Sequence, residues 1–585
     1  MKTRSVILTA MAVVLSAAVS CTRFDDMNHN PYANYVVTSE QFVQPILFNT
    51  ESSLMVTFYN IVGPLMQYSV STNVEQSSKV VANYNIPESS DDDVWVGLYT
   101  QYGNAEYMAA LAAKETNPAM LGVANVLKAL IISQIADSYG NVPYTEAGQI
   151  TLQGGDFKYT TRYDDMKSIY QDIFVLLESA NAAFNDPKAS DFSALCDYMY
   201  GGKIDKWQRF GNALYLRLLN RVAMKVVEED GGTLTLSDGT DLNIVSKIAE
   251  MYDCYNSGNG TYRLFRGNED DALVGFDENN SALQSPFYGT TSGNWGSGGR
   301  ACETLAMAMN ETTEGIKTSV TTGREWTYYS WAQGSKHDPR WDHYFHKAVG
   351  APTQLIASDM NDFIASVLSS AGNSLVGRMP GTTVNSETGL RSKTTGAITS
   401  TLYPEKKLAF SNQNPDNLPL VSYSEQMFIF AEAGARGYLS VTYPDYRKMM
   451  LTAVTASVMY WRPDLSENDP EMVEFIDWTY SKMDVDNALE TIMTQKWIAS
   501  FFLGTEAWSD YRRTGYPILK TNGPAAENGQ ILPTRLRYPA DEAYRNPVYY
   551  PEQVNGWLGG TNNMKTNVWW ADTQESIAMR KKGIQ

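Results

Sequence analysis

The sequence predicts a mostly α protein: a scaffold of about four helical hairpins, with a loop-rich, irregular half set into it. Three observations predict it. Apolar residues recur at helical spacing in several long segments on both sides of the middle of the chain. Between them, residues 256–420 lose that period and become rich in Gly, Thr, Ser and Asn. The 585 residues are 43% hydrophobic and only 19% charged, enough apolar surface for a large core and too little charge for a disordered chain.

The first element is an address. Lys2 and Arg4 precede a fourteen-residue apolar stretch, Val6 to Val19, and Ala17, Ala18 and Ser20 supply small residues, the pattern of a signal peptide over residues 1–20. Cys21 follows at once. A cysteine directly after small residues resembles the lipobox of bacterial lipoproteins, so Cys21 is the expected lipidation site and the start of the mature chain. Ala18 stands where the lipobox usually has Leu, Val or Ile. No later segment reaches eighteen consecutive apolar residues, so the expected membrane contact is a lipid anchor rather than a span. Asp25 and Asp26 resemble the acidic tag that sends some lipoproteins to the outer cell face.

The helical elements follow in order. Met120, Val123, Ala124, Leu127, Ile131 and Ile135 lie on one face, Val126 and Leu130 widen it, and Asp137-Ser138-Tyr139-Gly140-Asn141-Val142-Pro143 ends the helix. Tyr163–Phe184 repeats the period, and its partner runs from Ile204 through Trp207, Phe210, Leu214 and Leu218 to Val222. Tyr423–Gly437, Pro444–Trp461, Glu471–Tyr480 and Val485–Leu503 read as four more helices. Pairing them in order gives hairpins at about 92–139, 163–229, 423–461 and 470–505, each loosely like a tetratricopeptide pair.

The loop-rich half contains five glycines in the twelve residues 289–300, around Asn294 and Trp295. It also holds the aromatic group Trp326, Tyr328, Tyr329 and Trp331. Flat aromatic faces with nearby amides suit the C–H faces and hydroxyls of a neutral sugar, and loops on a rigid frame commonly carry function. Trp95, after Asp91-Asp92-Asp93, is a further candidate, whereas Trp341 after Asp338-Pro339-Arg340 reads as core. Any single tryptophan of this set has a plainer role available as core filling.

Charge narrows the partners. With 46 Lys plus Arg against 65 Asp plus Glu, the net charge of −19 opposes binding to nucleic-acid phosphates. Cys196, Cys254 and Cys302 are too few and too scattered for a disulfide framework and read as buried free thiols. His337, His343 and His346 with Asp342 make a thin case for zinc, and Glu269-Asp270-Asp271 lacks the spacing of a calcium loop, so no metal or cofactor is expected. No Gly-x-Ser-x-Gly, His-Glu-x-x-His or phosphate-loop motif occurs. A glycosidase pair of carboxylates stays possible in principle among 65 acids.

Several motifs stand out: Asp25-Asp26-Met27-Asn28-His29-Asn30-Pro31, Ala136–Tyr144, and Lys206–Leu214 with Arg217 and Arg221. Near the C-terminus stand Ala431-Glu432-Ala433, Gln495-Lys496-Trp497-Ile498, Glu506–Gly515, and Pro533, Arg535, Tyr538, Pro539 and Glu542. By these motifs the chain resembles the SusD/RagB family of outer-membrane nutrient-binding lipoproteins, with Gly211 in place of the usual Ala. The resemblance implies a tetratricopeptide-like fold whose irregular half holds the ligand. It also implies a non-catalytic role: capture of oligosaccharides, less often peptides, for a SusC-like TonB-dependent transporter. Arg512 and Arg513 beside Glu506 and Asp510 read as a hydrogen-bonded network that holds the last helix of this motif against the hairpins.

Overall fold

A computed structural model describes residues 37–71, 81, 84–149, 160–277, 279–286, 299–311, 313–318, 325–330, 336, 338–344, 354–355, 418–519, 521 and 528–583. Twelve helices carry the argument below: α1 (Val43–Thr57), α2 (Glu88–Lys114), α3 (Pro118–Tyr139), α4 (Met166–Phe184), α5 (Ile204–Asp230), α6 (Ile244–Ser257), α7 (Tyr423–Ala435), α8 (Tyr443–Trp461), α9 (Pro470–Ser481), α10 (Ala488–Ala499), α11 (Glu506–Thr514) and α12 (Gln574–Lys582).

Their starts are written in local chemistry. The Asn117 side chain accepts from the Met120 amide ahead of Pro118, Asp165 caps α4, Ser422 caps α7, and Thr442 with Asp445 forms a capping box for α8. Gly140 ends α3 at φ +90, and a Cβ there would sit 2.0 Å from the Trp557 ring, so only glycine satisfies both the turn and the contact.

The hairpins are tetratricopeptide-like. Helix α2 packs on α3, α3 on α4, α4 on α5 and α7 on α8; α9 packs on α8, while α10 lies across α7 and α8. Helix α5 joins the two halves by touching both α7 and α11. Helix α3 is long and apolar enough to cross a membrane, yet nearly every residue of it is buried inside this fold. Gly211, the departure from the family pattern, has a packing reason: a Cβ there would lie 2.8 Å from a Val126 methyl on α3. Helices α1 and α6 were not expected from the sequence, although Val43, Ile46, Leu47, Thr50 and Leu54 of α1 have helical spacing and are all buried.

The loop-rich half is an excursion stapled at its base, since Leu273–Val274 pairs antiparallel with Leu418–Pro419. Its described parts include short helices at Glu303–Met309 and Trp341–Tyr344 and a three-stranded sheet in the order 354–355, 325–330, 313–318. Trp341 is core, 3% exposed. The three cysteines are free, but only Cys302 is buried; Cys196 and Cys254 are half-buried, a correction to the reading of all three as core thiols.

Between the halves runs a chain of buried charges. Arg217 donates to Glu425 at 2.7 and 2.5 Å, and Arg221 donates to Asp137 at 2.9 Å and also to Glu506. Arg513 grips both oxygens of Glu432 and reaches Asp510 at 2.7 Å, and Lys496 lies 2.8 Å from Asp510. The expected network exists with Arg513 on Asp510 as expected and the other partners changed. Glu506 belongs to Arg221 and Arg217 of α5, and Arg512 pairs with no carboxylate among the described residues. Its guanidinium lies 3.7 Å above the Trp508 ring and 4.8 Å from that of Trp570, and donates to the carbonyls of Asp137 and Thr534. Burial pulls Arg512 below the usual arginine range. Burial pushes Glu506 the other way, but Arg217 and Arg221 outweigh it and hold that carboxyl below its ordinary value.

Candidate functional site

A cleft of about 380 Å³ opens where α1 and the turn after it, Phe58–Val62, meet the first half of α2. That volume lies in the range of small-molecule sites, about 300–1,000 Å³. Its walls are largely apolar, with Val56, Val94, Val96 and Ile61 as ground, and carry hydroxyls from Ser52, Ser53, Ser90 and Thr100 and amides from Asn49, Asn60 and Gln101. Among the described residues Asp93 is the one carboxylate in the lining. The helices orient these groups by their own backbones: Asn49 donates to the Pro45 carbonyl at 2.8 Å, Thr57 to Ser53 at 2.7 Å and Thr100 to Val96 at 2.8 Å. The buried Ser52 hydroxyl has no hydrogen-bond partner. Spacing of i, i+3, i+4 and i+7 puts Ser90, Asp93, Val94 and Gly97 on one side of α2, a pattern legible in the sequence once that side is known to face α1.

Pro286 also lines this cleft, and the chain is next described at Gly299–Ala301, which pairs antiparallel with Ser69–Ser71 just beyond α1. Those two points bracket the glycine-rich segment of Asn294 and Trp295. Asn294, Trp295, Trp331 and Cys21 themselves lie outside the described residues, as do His337 and His346. Trp326, Tyr328 and Tyr329 are in the central strand Glu325–Ser330, opposite Lys317, Gly315 and Glu314.

Trp95 sits on a different side of α2 from the cleft. It is half-buried against Tyr99, Tyr139 and Tyr538, with ring centroids 4.7, 4.9 and 6.1 Å away. The acidic run at 269–271 is structural: Asp270 accepts from the Arg266 amide and lies 3.5 Å from Arg209, and Asp271 accepts from the Tyr423 amide at the start of α7. Among the described residues no group of three His, Cys, Asp or Glu side chains gathers as a metal site.

A family model for SusD-like proteins, described as starch-binding and associating with the outer membrane, matches residues 31–311 and 355–539. The chain belongs to the SusD-like family. Solved SusD homologues share its fold at low identity. One from Parabacteroides distasonis has a TM-score of 0.67 at 19% identity, covering 91% of this chain and 98% of its own. A chitin-binding SusD homologue from Flavobacterium johnsoniae has a TM-score of 0.65 at 18% identity, covering 92% and 99%. A homologue from Bacteroides fragilis has a TM-score of 0.63 at 20% identity, covering 92% and 100%. No curated protein sequence matches the chain.

Proposed function

We propose that this SusD-like protein captures oligosaccharides at the outer cell surface without altering them, and passes them to a SusC-like TonB-dependent transporter. In this reading Cys21 carries the lipid that tethers the chain to the outer membrane. The observation that carries it is the cleft between α1 and α2, whose apolar ground carries hydroxyls and amides. Such a lining exchanges hydrogen bonds with sugar hydroxyls at little electrostatic cost, and aromatic rings from the loops add apolar contact of about 1 kcal/mol each. Two or three such contacts together with several hydrogen bonds give roughly micromolar to millimolar affinity, weak enough for release into a transporter. The family description as starch-binding and the chitin-binding relative support a carbohydrate as the ligand class.

The test is a glycan array on the mature protein, followed by migration in native gels containing the glycans that score. Retardation without new reducing ends is expected. Release of reducing ends would replace capture by hydrolysis, and tryptophan quenching by peptides but by no glycan would make the ligand a peptide. Thr100→Trp, at an exposed rim position of the cleft, is expected to abolish retardation while the protein unfolds at the same temperature.

A further inference from the structure

Among the described residues the lining of the cleft between α1 and α2 holds no aromatic ring; Val56, Ile61, Val94, Val96 and Pro286 form its apolar ground, within about 380 Å³. A flat ring suits the face of a pyranose, whereas branched aliphatic side chains close around something as small as a methyl group. Building on the glycan-capture reading, we propose that this cleft seats the acetamido group of an N-acetylated amino sugar. The methyl lies on the aliphatic ground and the amide among the polar side chains.

Two polar side chains of the lining keep hydrogen-bonding capacity that the rest of the described protein does not use. Gln101 is 5% exposed, and its Oε1 accepts from Asn104 Nδ2 at 3.1 Å, which fixes the side-chain amide. The Gln101 Nε2 makes no hydrogen bond among the described residues and is not sealed from solvent. The half-buried Ser53 has an equally open hydroxyl. Gly97 of α2 makes room for it, since a Cβ there would lie 2.7 Å from the Ser53 Oγ. Gly97 and Gln101 are one helical turn apart, so the hydroxyl and the amide meet the cleft from the same side of α2. An acetamido carbonyl accepts from the Gln101 N–H, and an acetamido N–H donates to the Ser53 oxygen, replacing water that either group holds in the free protein.

Charge narrows the sugar further. Among the described lining residues Asp93 is the one charged side chain and none is basic. A uronate or a sulfated sugar would meet a carboxylate and no counter-charge, in a chain that already carries a net charge of −19. An acetamido group leaves the sugar neutral and still presents one donor, one acceptor and one methyl, the three features that the Ser53 hydroxyl, the Gln101 amide and the valines answer.

Calorimetry on the whole mature protein with chitotetraose and cellotetraose makes the test, because these tetramers differ only in an acetamido group against a hydroxyl on each ring. Chitotetraose is expected to bind at least about tenfold tighter. In saturation-transfer NMR its acetyl methyl protons should be the most strongly saturated. Gln101→Leu, which deletes the donor, and Val56→Asn, which makes the ground polar, are each expected to cut the preference to about threefold or less, with thermal unfolding recorded to show that both fold. Equal binding of the two tetramers, ring protons saturated more strongly than the methyl, or a full preference kept by both folded variants would overturn the acetamido assignment and leave capture in place. Failure of every arrayed glycan to bind would instead remove the capture reading and this assignment with it.

Discussion

Replacing Glu432 by Gln removes one charge from the core while leaving its shape intact. Glu432 is fully buried, and four donors surround it: Arg513 Nη1 and Arg436 Nε meet Oε1 at 2.5 and 2.8 Å, and Arg513 Nη2 and Asn220 Nδ2 meet Oε2 at 2.8 and 2.9 Å. Burial alone would raise this carboxyl, but Arg513 and Arg436 overcome it and hold it well below the ordinary range. Whichever way a glutamine amide turned, its NH2 would face two donors, so two hydrogen bonds disappear and the charge attraction with them. Charge-assisted hydrogen bonds are worth about 1.5–3 kcal/mol each, and breaking a buried pair costs about 3–5 kcal/mol. Asp510 still pairs with Arg513, which keeps the loss at about 3–5 kcal/mol rather than more. Against a total stability of about 5–15 kcal/mol the variant should unfold at a much lower urea concentration. Because the folded carboxyl is depressed, its stabilisation is present above the unfolded value and disappears as pH falls below it, so the gap between parent and variant should narrow in acid. Urea titrations followed by tryptophan fluorescence at neutral and acid pH measure both. A loss under about 1 kcal/mol at neutral pH, or a gap that widens in acid, would refute the assignment of this network as the clamp between α7 and α11.

Other outcomes follow from the same packing. Gly211→Ala should destabilise by about 1–3 kcal/mol through contact with Val126, and Val126→Ala in the same chain should recover part of it; an additive double variant would rule out that contact. Glu51, buried in α1, is pushed up to about 8 by burial against the opposing pull of Arg217. Its contribution is full below the unfolded value and lost as pH rises through about 8, so Glu51→Gln should gain on the order of a few kcal/mol relative to the parent above that pH and almost nothing near pH 5, read from urea midpoints. Trp295→Ala and Trp331→Ala should each weaken glycan retardation at least about tenfold with thermal unfolding unchanged; equal loss of stability would make those rings core.

Much of the frame is legible in the order of residues, because helix formation obeys short-range rules. The period of 120–135, the Asn117-Pro118 start and the Gly140 stop mark α3 without reference to anything distant. Helix α1 shows the limit: Val43, Ile46 and Leu47 have the right spacing, but Pro45 and the mixed polarity after Phe48 obscure it until α2 and α3 supply the surface it covers. The site was less legible. Trp95, one of the candidate rings, turns toward Tyr139 and Tyr538. Ser52, Ser90 and Thr100 are ordinary helix-surface residues in sequence, and only the approach of two helices makes them a cleft.

The sequence by itself determined the class of this protein, the hairpins, and the need for buried arginines to find carboxylates, since periodicity, caps and charge are properties of neighbouring residues. Tertiary structure alone decided which carboxylates they found. Arg513 reaches 81 residues back to Glu432, and Arg217 reaches 208 residues forward to Glu425. Such pairings depend on how whole helices dock, and docking is set by the summed fit of many side chains, which no local stretch of sequence contains.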